Sequence, residues 1–423
     1  MLEIPVIKGD STLDISGKGY TFVSEKCREL NSDIFLTRIL FKKTICMRGP
    51  EAAGLFYDTQ HFERKNVAPN IAKYTLFGHG GIQNLDGNEH KNRKKIFMSI
   101  MSRENINRLT ETTINKWTTY AEQWEGKDRV VLFKEVQKLI FEAVCDWAGV
   151  PVSKEEVNRR AGDMGAMIDG AGVISSRHWK GRIARIRTEK WIGGIIKKIR
   201  SVDEKSQDKD QLNAAEHFAW SRNSDGVLID NHIATVGIMN ILRPTVAVAR
   251  YIIFAALALH AYPKNRSKIR DDDEHMTFFV NEVRRYYPFF PFVVARVKQE
   301  FEWKGYLFPR GINVLLDLYG TNHHPDVWVD PGKFRPERFL NRNTGPFDYI
   351  PQGGGDFHSN HRCAGEELTI ELLKASIRFL IESVRYDVPR QNLKIELSRI
   401  PAIPKSRFVI ENVKRIKTEK FHV

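Results

Sequence analysis

Residues 348–367 read DYIPQGGGDFHSNHRCAGEE, a glycine-rich loop that ends near Cys363 and leads directly into an amphipathic helix. The helix is indicated by apolar residues at helical spacing between Leu368 and Ile381. A cysteine at a helix N-terminus lies beside free amide N–H groups and the positive end of the helix dipole, which stabilise a thiolate. The glycines at 353–355, and Gly365 after the cysteine, let the backbone approach a flat ligand closely.

Two interpretations of this loop stay open on its own residues. In the first, Cys363 is the single cysteinate ligand of a haem iron, and His361 and Arg362 supply positive charge or hydrogen bonds to an anionic group. In the second, Cys363 is a buried structural cysteine that follows a flexible turn. Other stretches of the chain have to decide between them.

The length allows two or three average domains or one large domain, and the composition favours one. The chain has 423 residues, of which 42% are hydrophobic, and it contains no internal repeat and no Gly/Ser-rich or Pro-rich linker. We therefore expect a single domain over residues 1–423. Its four cysteines (Cys27, Cys46, Cys145 and Cys363) are scattered without zinc-site spacing, which predicts a reducing compartment.

The pattern of apolar residues predicts a soluble, cytoplasmic protein. The N-terminus carries early charges and lacks the apolar core of a signal peptide. The longest apolar run, at 251–259, is too short to cross a bilayer, so no transmembrane segment is expected. The net charge of +14 is dispersed through helical patterns, so we expect no nucleic-acid partner.

Local patterns predict a small N-terminal sheet followed by many helices. Strands are expected at Lys18–Val23, Thr44–Met47, Val314–Leu318, Leu393–Leu397 and Arg407–Val413, with a hairpin turn at Lys304-Gly305. Helices are expected at Pro50–Tyr57, from about Glu89, and at Ile106–Trp124, Phe133–Ala148, Lys154–Ile168, Ile183–Ile199 and Asn231–Ala261. The helix at 183–199 mixes isoleucines with many cations. It is interpreted as a core-facing helix with snorkelling lysines, and membrane contact is the alternative.

The long helix at 231–261 carries an arginine and a proline at mid-length. Pro244 lacks the N–H that would bond the carbonyl of Asn240, so a local bend or opening is expected. Arg243 shares a largely apolar face with Met239, and no carboxylate lies within a helical turn of it. Because an unpaired buried charge is costly, a ligand carboxylate is favoured over a structural one as the partner of Arg243.

Three motifs follow one another in the second half of the chain: Glu282-x-x-Arg285, FRPERF at 334–339, and Cys363-x-Gly365 in its glycine loop. In this order, and with HHPDVW at 323–328, they resemble the cytochrome P-450 family over nearly the whole chain. The resemblance implies a mainly α fold with small β-sheets. It places a haem b between the long central helix and the cysteine loop, with Cys363 as the iron ligand. Glu282, Arg285 and Arg338 would then form a buried structural network.

Two departures from ordinary members of that family indicate one branch of it. Asp356 and Ser359 stand where a shorter loop usually has Phe and Gly. Arg-Pro replaces the acid–threonine pair that delivers protons to bound dioxygen. Both features are similar to those of the bacterial fatty-acid peroxygenases. The positions that match this branch are Phe77, Gln83, Arg243, Pro244 and Cys363.

This resemblance implies that hydrogen peroxide drives hydroxylation of long-chain fatty acids at the α and/or β carbon, without a reductase. The substrate carboxylate, held by Arg243, would act as the general acid–base. Gln83 stands where alkene-forming relatives tend to carry histidine, and an amide exchanges no proton at neutral pH, so alkene is expected to be a minor product. The alternatives are a decarboxylase, a dioxygen- and reductase-dependent monooxygenase, and a non-catalytic haem-thiolate fatty-acid binder.

The remaining site residues are assigned by the same resemblance. The candidate walls of an acyl channel are Phe77, Phe289 and Phe292, and plain core packing is an equal alternative for Phe292. The candidate partners of the haem propionates are Arg64, His90, Arg296 and His361.

Overall fold

The computed structural model describes residues 2–172, 175–202, 212–342 and 344–416. Its helices are α1 (Thr12–Lys18), α2 (Phe22–Glu29), α3 (Pro50–Phe56), α4 (Asn70–Ala72), α5 (Gly87–Ile100), α6 (Arg103–Trp124), α7 (Leu132–Ala148), α8 (Lys154–Asp169), α9 (Ser176–Arg200), α10 (Ala214–Trp220), α11 (Asn231–Ala261), α12 (Lys264–Asp271), α13 (Asp273–Tyr286), α14 (Leu318–Thr321) and α15 (Glu366–Glu382). Its strands are β1 (Val6–Asp10), β2 (Ile34–Ile39), β3 (Lys42–Met47), β4 (Phe62–Glu63), β5 (Val130–Val131), β6 (Phe292–Val297), β7 (Phe301–Trp303), β8 (Tyr306–Phe308), β9 (Asn313–Asp317), β10 (Val384–Asp387) and β11 (Val409–Arg415).

The largest sheet has six strands in the order β1-β2-β3-β9-β6-β4. Its centre pairs Cys46 of β3 with Leu315 of β9 in parallel, and β6 joins β9 in antiparallel register. Helix α2 buries Phe22 and Cys27 against this sheet. A second sheet has the order β10-β11-β5, and β7 and β8 form a hairpin. The sheets therefore lie beside a much larger helical body.

Helix α11 runs through the centre of that helical body. Asp230 caps it by accepting a hydrogen bond from the N–H of His232 at 2.7 Å. The helix packs against α7, α8, α9 and α15. By length and composition it is able to cross a membrane, but 94% of its most apolar window is buried inside the fold. Such burial is the pattern of a core helix.

The cysteine loop is held in place by α15, which begins three residues after Cys363. The buried residues of α15 follow one face and include Leu368, Leu372, Leu373, Ile377, Leu380 and Ile381. This face packs α15 against α6 and α11. The loop at its N-terminal end is consequently anchored to the same helix that carries Arg243.

Most of the predicted helices are confirmed, and the bounds of α11 agree with the prediction at both ends. Helix α11 continues through Pro244 without a break, and the bend expected at that residue stays a prediction. The strand predicted at Lys18–Val23 is wrong. That segment ends α1, makes a 3-10 turn and begins α2, since Phe22 packs its ring on the sheet from a helix. The segment 393–397 has only an isolated bridge between Ile395 and Pro404, so that strand is also wrong.

Candidate active site

A backbone hydrogen bond fixes the loop that carries Cys363. Its N–H donates to the carbonyl oxygen of Gln352 at 3.1 Å. Burial raises the pKa of the Cys363 thiol, while the N–H of Gly365 and the charges of Lys94 and Arg284 offset part of the rise. The N–H groups at the start of α15 thus lower the pKa of the thiol, as expected, but they do not outweigh its burial. A metal cation bonded to the sulfur would, because coordinating thiols are deprotonated.

Charged side chains hold this loop in place, and of these Arg362 was named from the sequence. Lys94 is 2% exposed and donates to the carbonyl oxygen of Arg362. Arg362 donates to Glu366 at 2.6 Å, and Arg284 also pairs with Glu366. Arg284 donates in addition to the side-chain oxygen of Gln352 at 3.1 Å. Both arms of the loop are therefore tied to α5, α13 and α15.

The predicted glutamate–arginine network is present beneath the loop. Glu282 is fully buried and accepts from Arg285 at 2.7 and 2.8 Å and from Arg338 at 3.1 Å. Arg285 also donates to the carbonyl oxygens of Asn322 and Pro331 at 3.0 Å. These bonds connect α13 to the irregular segment around residues 322–338.

Glu282→Ala should lower the free energy of unfolding by about 3–5 kcal/mol, because it leaves Arg285 and Arg338 without their buried anion. Chemical denaturation followed by circular dichroism measures the loss. Glu337→Ala is the matched control: Glu337 pairs with Lys268 with both side chains about half exposed, so a loss of only about 0–1 kcal/mol is expected. Equal losses in the two variants would contradict a buried structural network.

Three of the four predicted propionate partners lie together. The rings of His90 and His361 are 3.9 Å apart, and Arg64 lines one small pocket with His361 and Asp86. Burial lowers the pKa of His90 to about 4 and that of Arg64 to about 10, and burial with the nearby cations holds the pKa of His361 well below its usual value. Burial disfavours the positive charge of these three hydrogen-bond donors, and a bound anion would favour it. The cluster therefore fits the carboxylate groups of a haem.

Among the described residues, Arg296 has no hydrogen bond to the members of that cluster. Its guanidinium donates to Glu63 at 2.7 Å and to the carbonyl oxygen of Lys65 at 3.3 Å. Its side chain is 36% exposed. Arg64, by contrast, turns inward, donates to the carbonyl oxygen of Val294 at 3.0 Å and lies 4.1 Å over the ring of Phe56.

Arg243 is the buried cation at the middle of α11. It is 3% exposed, and its Nη2 donates to the side-chain oxygen of Asn240 at 3.1 Å. Its Nη1 is buried and has no hydrogen-bond partner among the described residues. Burial, and secondarily the charge of Arg185, lowers the pKa of Arg243 to about 9. The expectation that no structural carboxylate neutralises Arg243 agrees with its described contacts.

Gln83, Phe77 and Asn240, the hydrogen-bond partner of Arg243, come together around Gly81. A Cβ on Gly81 would lie 2.6 Å from the carbonyl oxygen of Phe77, 3.0 Å from the side-chain oxygen of Gln83 and 3.3 Å from the side-chain nitrogen of Asn240. Only glycine fits such a close approach. The side-chain oxygen of Gln83 is buried and has no hydrogen-bond partner among the described residues. The segment from Phe77 to Gln83 and helix α11 thus bring polar groups together around Gly81.

Arg185 of α9 belongs to the same region, although sequence reasoning did not nominate it. It is 4% exposed, and it donates to the carbonyl oxygens of Thr75 and Leu76 at 3.3 and 3.1 Å and to Glu189 at 2.7 Å. Its Nη2 occupies the space that a Cβ on Gly78 would need, 2.1 Å away. It therefore fixes the segment that leads into Phe77.

The three candidate channel phenylalanines are not equivalent. Phe77 is half-buried at the end of the π-helical turn Lys73–Phe77. Phe289 stacks on Tyr251 of α11 with ring centroids 4.0 Å apart. Phe292 packs instead against the cluster of α2 and the large sheet that contains Phe22. The structure thus places Phe289 against the helix of Arg243, and Phe292 in the core beside the sheet.

Comparisons with known proteins agree with this geometry. A family model described as cytochrome P450 matches residues 263–408. Human (Homo sapiens) cytochrome P450 26B1 is 23% identical over 438 residues, which cover 91% of this chain and 82% of that protein.

Solved structures extend the likeness to nearly the full chain. A variant of cytochrome P450SP alpha (CYP152B1) superposes with a TM-score of 0.93 at 43% identity, covering 96% of this chain and 99% of that one. Cytochrome P450EX alpha (CYP152N1), solved with myristic acid, gives 0.94 and 41%, with 98% and 99% covered. A variant of cytochrome P450 OleT in complex with arachidonic acid gives 0.94 and 34%, with 99% and 100% covered. The chain belongs to the cytochrome P450 family, and it is a haem-thiolate enzyme of the fatty-acid peroxygenase branch.

Proposed function

We propose that the protein hydroxylates long-chain fatty acids at the α and/or β carbon with hydrogen peroxide, and that terminal alkene is a minor product. The observation that carries the proposal is Arg243, a buried guanidinium whose Nη1 has no partner among the described residues. The fatty acids present in two of the similar solved structures, myristic and arachidonic acid, support the substrate class.

The chain offers residues for the iron and for the propionates of the cofactor. Cys363 would ligate the iron, and Arg64, His90 and His361 would hold the propionates. Bound haem with a cysteinate ligand supplies an iron centre at which O–O cleavage is favoured. Arg296, which is paired with Glu63, would contribute only from the edge of the cluster.

Arg243 would bind the substrate carboxylate in a charge-assisted pair, and Asn240 would keep the guanidinium in place from its Nη2 side. Pro244 deprives the carbonyl of Asn240 of its helical donor, which leaves a further acceptor beside that pair. One carboxylate oxygen then takes the proton from peroxide and returns it to the departing oxygen, as a general acid–base. The same anchor fixes the position of the α and β carbons.

The proposal is tested by incubating the enzyme with a saturated long-chain acid and hydrogen peroxide, without a reductase, and analysing the products. Hydroxy acids from the free acid, and almost none from its methyl ester, are expected. Turnover only with NAD(P)H and redox partners would indicate a dioxygen-dependent monooxygenase. Spectral shifts without product would indicate a fatty-acid binder, and alkene as the main product would indicate a decarboxylase.

Gln83→His should raise the fraction of terminal alkene several-fold, because imidazole exchanges a proton near neutral pH and an amide does not. Gas chromatography of the products from one acid measures the ratio. Gln83→Asn keeps the amide chemistry and is the control, with an unchanged alkene fraction. An unchanged ratio in the histidine variant would remove the role assigned to this position.

The proposal extends to the setting of the enzyme. We place it in the cytoplasm as a single domain over residues 1–423 that needs no reductase and no nucleic acid. The cysteines in free form, Cys27, Cys46, Cys145 and Cys363, support a reducing compartment.

A further inference from the structure

Helix α9 exposes a row of large apolar side chains. Trp179, Ile183 and Ile186 are 61%, 53% and 64% exposed, and their spacing of four and three residues places them on one face. The opposite face of the helix is buried and includes Ala184, Ile192 and Ile196. The core-facing interpretation of this helix is therefore confirmed for one side only, and the other side presents apolar surface to solvent.

The same exposed face is strongly basic. Helix α9 contains nine Lys and Arg residues and a single acidic residue, Glu189, whose carboxylate is bonded to Arg185. The cations that are exposed along the face are Lys180, Arg187, Lys190, Lys197 and Lys198. The face thus alternates apolar and positive groups without a free carboxylate of its own helix.

The apolar row continues onto the segment that leads into the active site. The guanidinium of Arg182 lies 5.3 Å over the ring of Trp179 and 4.9 Å over the ring of Tyr74. Tyr74 is 36% exposed and belongs to the turn Lys73–Phe77, which Arg185 ties to α9 from behind. One surface therefore connects the outside of α9 with the segment that carries Phe77.

We propose that this face of α9, formed by Trp179, Ile183, Ile186 and the surrounding cations, docks the enzyme on the surface of an anionic lipid bilayer. Tryptophan and aliphatic side chains on a helix rich in Lys and Arg are the composition that lies in a membrane interface. Two carboxylates lie near this face, and both are paired: Glu189 with Arg185, and Asp163 of α8 with Arg187. The lysines in excess of them select anionic lipid among possible occupants. Docking extends the function proposed above, because an acyl substrate in the lipid would then lie beside the segment that carries Phe77.

The first experiment is co-sedimentation of the haem-loaded enzyme with vesicles of phosphatidylglycerol and phosphatidylcholine. Binding to vesicles that contain phosphatidylglycerol is expected, with weakening by salt and little binding to pure phosphatidylcholine. The triple variant Trp179→Gln, Ile183→Gln, Ile186→Gln should lower the partition coefficient at least about tenfold. The control carries glutamine at three exposed apolar positions off this helix, Leu13, Phe41 and Val329, and should bind like the unmodified enzyme.

The second experiment tests the charge. Lys180→Gln and Lys190→Gln should each weaken binding roughly fivefold, whereas Lys127→Gln, an exposed lysine outside α9, should not. Equal binding to neutral vesicles, no binding at all, or equal losses in the controls would overturn the proposal. A protein that is dimeric alone and becomes monomeric in the triple variant, without vesicle binding, would identify the face as an interface between copies.

The co-sedimentation assay measures binding and requires no turnover. A negative result for docking can therefore be distinguished from a negative result for the proposed reaction. Peroxide-driven oxidation of a dissolved medium-chain acid, measured without lipid, should be unchanged in the triple variant. If that activity is absent in every variant while vesicle binding persists, the reaction is wrong and the docking surface stands.

Discussion

Arg243→Ala should lower peroxide-driven turnover of long-chain fatty acids by about 10²–10⁴-fold, the range of a lost general acid–base group, while the enzyme still binds haem. The substitution removes the cation proposed to hold the substrate carboxylate, and with it the group proposed to move the proton of peroxide. Helix α11 offers no replacement, because the polar residues near Arg243, Asn240 and Thr245, are uncharged, and the hydroxyl of Thr245 is bonded to the carbonyl oxygen of Ile241. Single-turnover kinetics with a saturated acid, normalised to haem content, measures the effect.

A matched control lies seven residues further along the same helix. Arg250 is 1% exposed like Arg243, but it is paired with Asp169 instead of lacking an anion. Arg250→Ala should therefore cost stability and leave turnover per haem largely intact. A similar loss of turnover in both variants would show that any buried arginine of α11 is needed, and that the carboxylate is not held by Arg243.

The pH dependence of substrate binding provides a second readout of the same assignment. In the free enzyme, burial and the charge of Arg185 lower the pKa of Arg243 to about 9. A bound carboxylate raises that pKa again, so affinity is fully present below pH 9 and falls about tenfold per unit as pH rises above it. Spectral titration with a fatty acid from pH 7 to pH 10 measures the fall. Its methyl ester should show no such dependence.

Sequence reasoning found what short-range pattern and charge encode. The limits of α11 were predictable because Asp230 caps the helix and Pro263 follows its end. The lack of a carboxylate beside Arg243 among the described residues was predictable because apolar neighbours along one helix are visible in the sequence. The strand prediction at Lys18–Val23 was wrong because the packing of Phe22 on the sheet overrides the β-forming preference of these residues.

Arg185 was missed for a different reason. Its partners, the carbonyl oxygens of Thr75 and Leu76, lie about 110 residues upstream and carry no side-chain signature. In a helix with nine cations, one more arginine is not conspicuous. The available signal was its position: Arg185 falls in register with Ala184, Thr188 and Ile192 on the buried face of α9. A cation on a buried face predicts a specific partner, even when the partner is backbone.

Cys363→Ala should abolish the red-shifted Soret band of the reduced carbonyl complex and all peroxide-driven turnover. The N-terminus of α15 and two nearby cations, Lys94 and Arg284, favour the thiolate of Cys363. Burial of the side chain opposes it. An iron cation decides that balance in favour of the thiolate. Loss of the sulfur removes the single thiol of this loop, so reduced haem would bind carbon monoxide without the thiolate signature.

The other cysteines provide the control, because their surroundings are of the opposite kind. Cys145 is fully buried in α7, and burial holds the pKa of its thiol well above the usual value. Cys27 and Cys46 lie in the apolar cluster against the large sheet. Cys145→Ala should therefore keep both the Soret band and the activity, at a modest cost in stability. If the band survived in Cys363→Ala, or vanished equally in Cys145→Ala, the iron ligand would have to be sought elsewhere, and the loop would be a structural turn around a buried thiol.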